Sequence, residues 1–202
     1  MNGSREFRPV LRLAFVDSLP VLMGYTTMGF VAGVLLAARG NVMLAPLWAF
    51  LTAVLWVTGT MNFAFVPLVA AREPVMAIAV MTLMVNFRYA FYGFSMLARW
   101  KDVPWLRKCY LILMLADENY ALEAASPIRD SQRYSRYCTC ISVLNHGYWI
   151  GGLTCGALAV ALLGMVISPE RIREATNGME FAMAALFLVI FTDQIRGALR
   201  GK

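Results

Sequence analysis

The chain has 202 residues, 60% of them hydrophobic and 15% charged, with a mean hydropathy of +0.63 and a net charge of +6. Soluble domains run at roughly 45–50% apolar and about 25% charged, so the composition excludes a soluble globular protein and leaves a single transmembrane domain over residues 1–202. The basic excess does not call for nucleic acid, because Lys and Arg gather at the ends of apolar stretches, where anionic headgroups hold them.

A crossing of a roughly 30 Å hydrocarbon layer takes about 20 apolar residues, so an all-α integral membrane protein of about six segments is expected. Residues 10–38 form the first segment behind Arg5, Arg8 and Arg12, interrupted by Asp17, Pro20, Gly24, Gly29 and Gly33. It is too long for a signal-peptide core, carries Asp17 and shows no cleavage site, so it is expected to stay attached. Residues 42–71 carry no charge, yet Thr58-Gly59-Thr60-Met61-Asn62 puts small and amide residues at mid-depth. Residues 74–98 hold Arg88 as their one charge, and the basic patch 99–108 closes them.

The fourth segment is continuously apolar only over 109–116, before Asp117, Glu118 and Glu123, and it spans only if those acids face protein or water. Residues 137–168 are long and uncharged, with Asn145, His146 and several glycines; Gly152-x-x-x-Gly156 suits close helix approach. The sixth is a short apolar run in 180–193, centred on Leu186. Basic residues flank the segments on both expected sides: Arg72, Arg129, Arg133 and Arg136 on one, Arg99, Lys101, Arg107 and Lys108 on the other. The terminal clusters favour both termini in the cytoplasm. A three-plus-three inverted repeat is not visible in the residues.

Moving a zwitterion through hydrocarbon needs donors for its carboxylate, acceptors for its ammonium and an apolar pocket. Broken helices supply the first two, because an unwound turn frees backbone N–H and C=O groups at half-helix ends. At least one break near mid-membrane is therefore expected, with Pro20 to Thr27 the best place: proline removes a donor, Gly24 tolerates unusual dihedrals, and the Thr26 and Thr27 hydroxyls can ligate. An ordinary proline kink is the plainer reading. Thr60 and Asn62 offer a second polar break, against simple close packing through Gly59.

Arg88 near mid-segment costs from about 3 to more than 10 kcal/mol unless paired or wetted. Asp117, Glu118 and Asp17 are the available carboxylates. The pair either locks two helices or serves the substrate carboxylate or coupling; a snorkelling position at the membrane edge is the third reading. Asp117 and Glu118 point about 100° apart on a helix, so they cannot share one neighbour. They suit proton coupling if buried, and an aqueous helix end if not. His146 reads more simply as a packing residue than as a proton relay. The cysteines, Cys109, Cys138, Cys140 and Cys155, lack paired zinc spacing and read as structural thiols. With no nucleophile elbow, phosphate loop or metal cluster, no cofactor, metal or enzymatic activity is expected.

Five blocks carry a family resemblance. They are Pro20 to Tyr25 with Gly29; Gly59-Thr60-Met61-Asn62-Phe63; Val85-Asn86-Phe87-Arg88-Tyr89-Ala90-Phe91-Tyr92-Gly93; Leu115-Ala116-Asp117-Glu118-Asn119-Tyr120-Ala121-Leu122; and Gly178 to Phe187 leading to Asp193-Gln194. In these the chain resembles AzlC, the large subunit of bacterial branched-chain amino acid exporters. The resemblance implies efflux of leucine, isoleucine, valine or related apolar amino acids across the bacterial inner membrane, with a small AzlD-like membrane partner. Asn62 stands where the family usually has glutamine and Tyr89 where a histidine often follows the arginine, departures that bear on the substrate. The family commonly continues through a further apolar segment; the partner, a homo-oligomer or a shortened architecture would account for that face.

The expectation is thus a secondary transporter. Gly24, Tyr25, Thr26, Thr27, Thr60, Asn62, Asn86 and Asn145 line a midplane cavity, with Arg88, Asp117, Glu118 and Asp17 as the charges about it. The competing reading is a non-transporting membrane scaffold or regulatory subunit.

Overall fold

The computed structural model describes residues 3–55 and 59–181, together with residues 185, 188, 189, 192, 195 and 196. The Asp193-Gln194 pair, most of the expected sixth segment and the C-terminal basic cluster fall largely outside these. The described helices are α1 (Gly3–Arg39), α2 (Ala45–Leu55), α3 (Gly59–Ala70), α4 (Val75–Asn86), α5 (Arg88–Leu97), α6 (Trp105–Leu113), α7 (Asp117–Ala125), α8 (Ser131–Leu163) and α9 (Pro169–Ala175). A 3-10 turn follows at Met179–Phe181, and no strand occurs among the described residues.

Two long helices form the spine. In α8, residues Ser135, Cys138, Ser142, Asn145, Trp149, Gly152, Gly156 and Val160 recur every three or four positions and are all buried, so they form one stripe. That stripe lies on α1. A Cβ on Gly152 would meet the Thr26 carbonyl oxygen at 2.8 Å, and one on Gly156 would overlap the Phe30 backbone. A Cβ on Gly33 would overlap the Leu153 carbonyl and crowd the Ala157 backbone nitrogen at 2.9 Å. Partner numbers rise together along both helices, so α1 and α8 run parallel. Between helices in lipid there is little hydrophobic drive, and such small-residue contact supplies van der Waals attraction instead.

The expected break at Pro20 does not occur. Helix α1 is continuous through Pro9 and Pro20. The Thr26 hydroxyl donates to the Leu22 carbonyl at 2.6 Å and the Thr27 hydroxyl to Met23 at 2.8 Å. Packing on α8 from Val10 to Gly33 keeps the helix continuous across the proline, so these threonines serve their own helix rather than a gap. The break lies elsewhere. Helices α4 and α5 meet at Phe87 with a bend of 43°, close to Arg88.

Among the described residues, α1 and α8 are each long and apolar enough to cross a membrane, and the bent pair α4–α5 counts as a third span if its halves are taken as one. The other two apolar segments follow a different course. Val42 lies beside Gly164 and the Ala53 carbonyl beside His146, so α2 runs antiparallel to α8, from the end where α8 finishes (the far end) to its middle. Gly59 faces the Trp149 ring, and Phe63 shares a cluster with Val160, Ile172 and Met179. Helix α3 therefore returns to the far end, and α2–α3 goes in and comes back out.

The fourth segment does the same from the other end. Trp100 and Val103, before α6, cluster with Val10, Ala14 and Tyr134 at the near end. Tyr110 on α6 reaches His146 at mid-helix, and α7 then runs back from Asn119, against Asn145, to Tyr134, whose hydroxyl donates to the Glu123 carbonyl at 3.0 Å. Arg99 donates to the carbonyls of Glu123, Ala124 and Ser126, which are freed at the α7 C-terminus. The described residues thus hold two long spans, a bent pair that can make a third, and two hairpins entering from opposite ends, with most of the expected sixth segment outside them. Apolar periodicity reports that a segment is in the membrane but not whether it turns back.

Candidate functional site

The middle of the bundle is where helix ends collect. Helix α5 begins at Arg88, α7 at Asp117 and α3 at Gly59. At the α6–α7 turn, Ala116 is extended (φ −82°, ψ 173°) and no side chain caps α7. The Asn119 amide donates to the Met114 carbonyl at 2.7 Å, which also accepts from the Ala116 backbone N–H at 2.8 Å, so the turn is pinned by both. The first-turn amides of α7 point into the middle, where a half-helix N-terminus favours negative charge.

The carboxylates there diverge as their helical spacing requires. Asp117 takes Arg88 Nη2 at 2.9 Å and the Tyr92 hydroxyl at 2.8 Å. Glu118 accepts from the Tyr25 hydroxyl at 2.8 Å. Adjacent acids on α7 thereby tie it to α5 and to α1. Asp17 does not join them; it accepts from Tyr137 at 2.8 Å, toward the near end. The Arg88 and Asp117 side chains are each 36% exposed, Glu118 is exposed, and Arg88 Nε has no hydrogen-bond partner. The pair is half-exposed rather than sealed, and the open side of the midpoint beside it forms the candidate cleft.

Aromatic rings wall that cleft. Tyr25 packs edge-on to Trp149 (centroids 5.7 Å), Tyr92 stacks on Tyr120 (4.4 Å, 8°), and the Arg88 guanidinium lies 5.2 Å from the Tyr89 centroid. Gly24 is exposed, with nothing within 4 Å of where a Cβ would stand, and Thr27 is exposed beside it. Thr60 and Asn62 sit half-buried in the first turn of α3. Asn86 lines, with Phe65, Ile78 and Thr82, an apolar groove of about 690 Å³ between α3 and α4, and its Oδ1 has no hydrogen-bond partner.

Asn145 departs from expectation. It is 1% exposed and donates to Asn119 Oδ1 at 2.5 Å, so it belongs to a closed polar network and lines no open cavity. That network, Asn119, Glu123, Ser142 and Asn145, was not anticipated, although Asn119 and Glu123 stand four apart and so share one face of α7. His146 bridges the hairpins, with Nδ1 at 3.3 Å from the Tyr110 hydroxyl and Nε2 at 3.2 Å from the Ala53 carbonyl. The four cysteines are free thiols, and no metal-binding group of His, Cys, Asp and Glu occurs among the described residues.

The family described as AzlC protein matches residues 20–163. An uncharacterized membrane protein of Helicobacter pylori is 33% identical over 191 residues, covering 95% of this chain and 78% of that protein. One from Haemophilus influenzae is 32% identical, covering 94% of this chain and 73% of its own length. The branched-chain amino acid transport protein AzlC of Bacillus subtilis is 28% identical over 195 residues, 96% of this chain and 71% of that protein. No solved structure matches.

Proposed function

The chain belongs to the AzlC family, and from that membership we propose that it is a transporter subunit exporting branched-chain or related apolar amino acids across the bacterial inner membrane. The observation that carries this reading is the half-exposed Arg88–Asp117 pair beside exposed Glu118 at the meeting point of half-helices. A pair that served only to lock helices would be sealed. Here the half-exposed Arg88 guanidinium can exchange Asp117 for a substrate carboxylate, with the α7 N-terminal amides behind it. Glu118 and Asp117 offer acceptors to the ammonium, and Tyr25, Tyr89 and Tyr92 offer apolar ring surface to the side chain.

The hairpins also bear on orientation. Lys101, Arg107, Lys108, Arg129, Arg133 and Arg136 all fall at the near end, with Arg8 and Arg12, whereas Arg39, Arg72, Arg171 and Arg173 are at the far end. This asymmetry supports a cytoplasmic N-terminus. A small AzlD-like membrane subunit is proposed as partner, and α4, which has no buried residue, offers it a surface.

The test is leucine and methionine release from preloaded cells expressing the chain, alone and with the small membrane subunit, with insertion verified. Release above the empty-vector control supports export. No release of either amino acid from well-inserted protein overturns it in favour of a scaffold.

A further inference from the structure

Glu123 is fully buried, at 0% exposure, in the closed network behind the cleft. Its Oε1 accepts from Ser142 at 3.4 Å, Ser142 is 3.4 Å from the Asn119 amide, and Asn119 accepts from Asn145. Oε2 has no partner, and neither does Asn145 Oδ1. The titratable and charged groups facing the carboxyl are Cys138, whose thiol acts on it as a hydrogen-bond donor, Tyr134 and Tyr137, all on α8, and Arg99 from the α5–α6 connection. Arg99 is committed to backbone carbonyls and lies 4.0 Å from the Tyr134 centroid. No cation forms an ion pair with Glu123 among the described residues. A fully buried carboxylate with one oxygen unpartnered and no ion pair is costlier than a neutral carboxylic acid.

We propose that Glu123 is a proton-binding site, and that loading and release of its proton are coupled to movement of α7 about the substrate cleft. This rests on the transport reading for its coupling part only. Helix α7 carries Asp117 and Glu118 at one end and Glu123 two turns on, so a shift of its N-terminus toward a bound substrate displaces Glu123 relative to Ser142. In the state described the network is closed and the acid holds its proton. Opening of the α7–α8 contact admits water, and the proton leaves Oε2 to it. Asn119 makes the link direct, since it covers the Met114 carbonyl at the hairpin tip and also joins Ser142.

The test uses the purified full chain. Infrared difference spectra across the neutral pH range should show a protonated-carboxyl band in the wild type that is missing in Glu123→Gln, and that Ser142→Ala displaces. Leucine release from proteoliposomes should depend on pH in the wild type, lose that dependence in Glu123→Gln and regain it in Glu123→Asp. A band that survives Glu123→Gln, or a folded Glu123→Gln protein with the wild-type pH profile, overturns the proposal. If the wild type moves no leucine, the transport reading falls, and the infrared band alone decides the proton site.

Discussion

Arg88 and Asp117 meet at 2.9 Å from two half-helices that both begin at the middle of the bundle, one after a bend and one after a hairpin turn. Each charge is thereby met at a depth where it would be costly alone, and each stays open enough to exchange its partner for a substrate group. Arg88→Ala and Asp117→Asn should each insert and fold but lower release. A charge-assisted hydrogen bond is worth about 1.5–3 kcal/mol, which corresponds to roughly ten- to a hundredfold. The exchanged pair, Arg88→Asp with Asp117→Arg, should recover thermal stability and not release. Recovery of both would reduce the pair to a helix lock.

Tyr25 ties α1 to the acid beside that pair. Tyr25→Phe keeps the ring against Trp149 and removes only the hydroxyl that Glu118 accepts from. The expected result is an unchanged melting temperature with an altered apparent KM for the amino acid, because Glu118 loses its one described partner. A lower melting temperature with unaltered KM would assign the contact to assembly instead.

Much of the site could be read in the sequence because intramembrane charge is expensive. Arg88, Asp117 and Glu118 stand out as the polar residues an apolar chain has to explain, and the helix spacing of Asp117 and Glu118 already says they face different neighbours. The reading failed at Pro20, where a local breaker lost to long contact with α8, and at Asn145, which helix periodicity alone could not place between a cavity and a closed network. For Glu123 the sequence says only that it faces protein or water if the fourth segment spans; the fold of α7 back onto α8 is what makes it protein. Whether a segment crosses or returns depends on contacts such as Arg99 to Ala124 and Tyr110 to His146, far apart in the chain.

The glycines divide by what surrounds them. Gly156→Val places bulk into the Phe30 backbone and should destabilise by about 1–3 kcal/mol or more, since the obstacle is main chain and cannot swing aside. Gly151→Ala, on the same helix with nothing within 4 Å, should be neutral or stabilising by about 0.5–1 kcal/mol through helix propensity. Thermal unfolding of the two variants in detergent, read side by side, checks this. Equal losses would mean that α1 and α8 do not approach as described.

The hairpin course has a consequence that continuous crossings do not share. If the fourth segment crossed the bilayer, the connections on either side of it would face opposite compartments. If α6 and α7 return to the end they started from, Lys101 and Arg129 lie on one side, as the Ser131 hydroxyl bonded to Asp102 at 2.7 Å already implies. Arg72, between α3 and α4, lies on the other. Single cysteines at these three positions, in a background with Cys109, Cys138, Cys140 and Cys155 replaced, can be labelled in intact cells with a membrane-impermeant maleimide. With the basic near end cytoplasmic, as proposed above, Lys101→Cys and Arg129→Cys should be protected together and Arg72→Cys labelled. Labelling of all but Arg72→Cys would keep the hairpins and invert the orientation. Opposite behaviour of Lys101→Cys and Arg129→Cys would show that the fourth segment crosses, and the shared midpoint of the two hairpins at His146 would go with it.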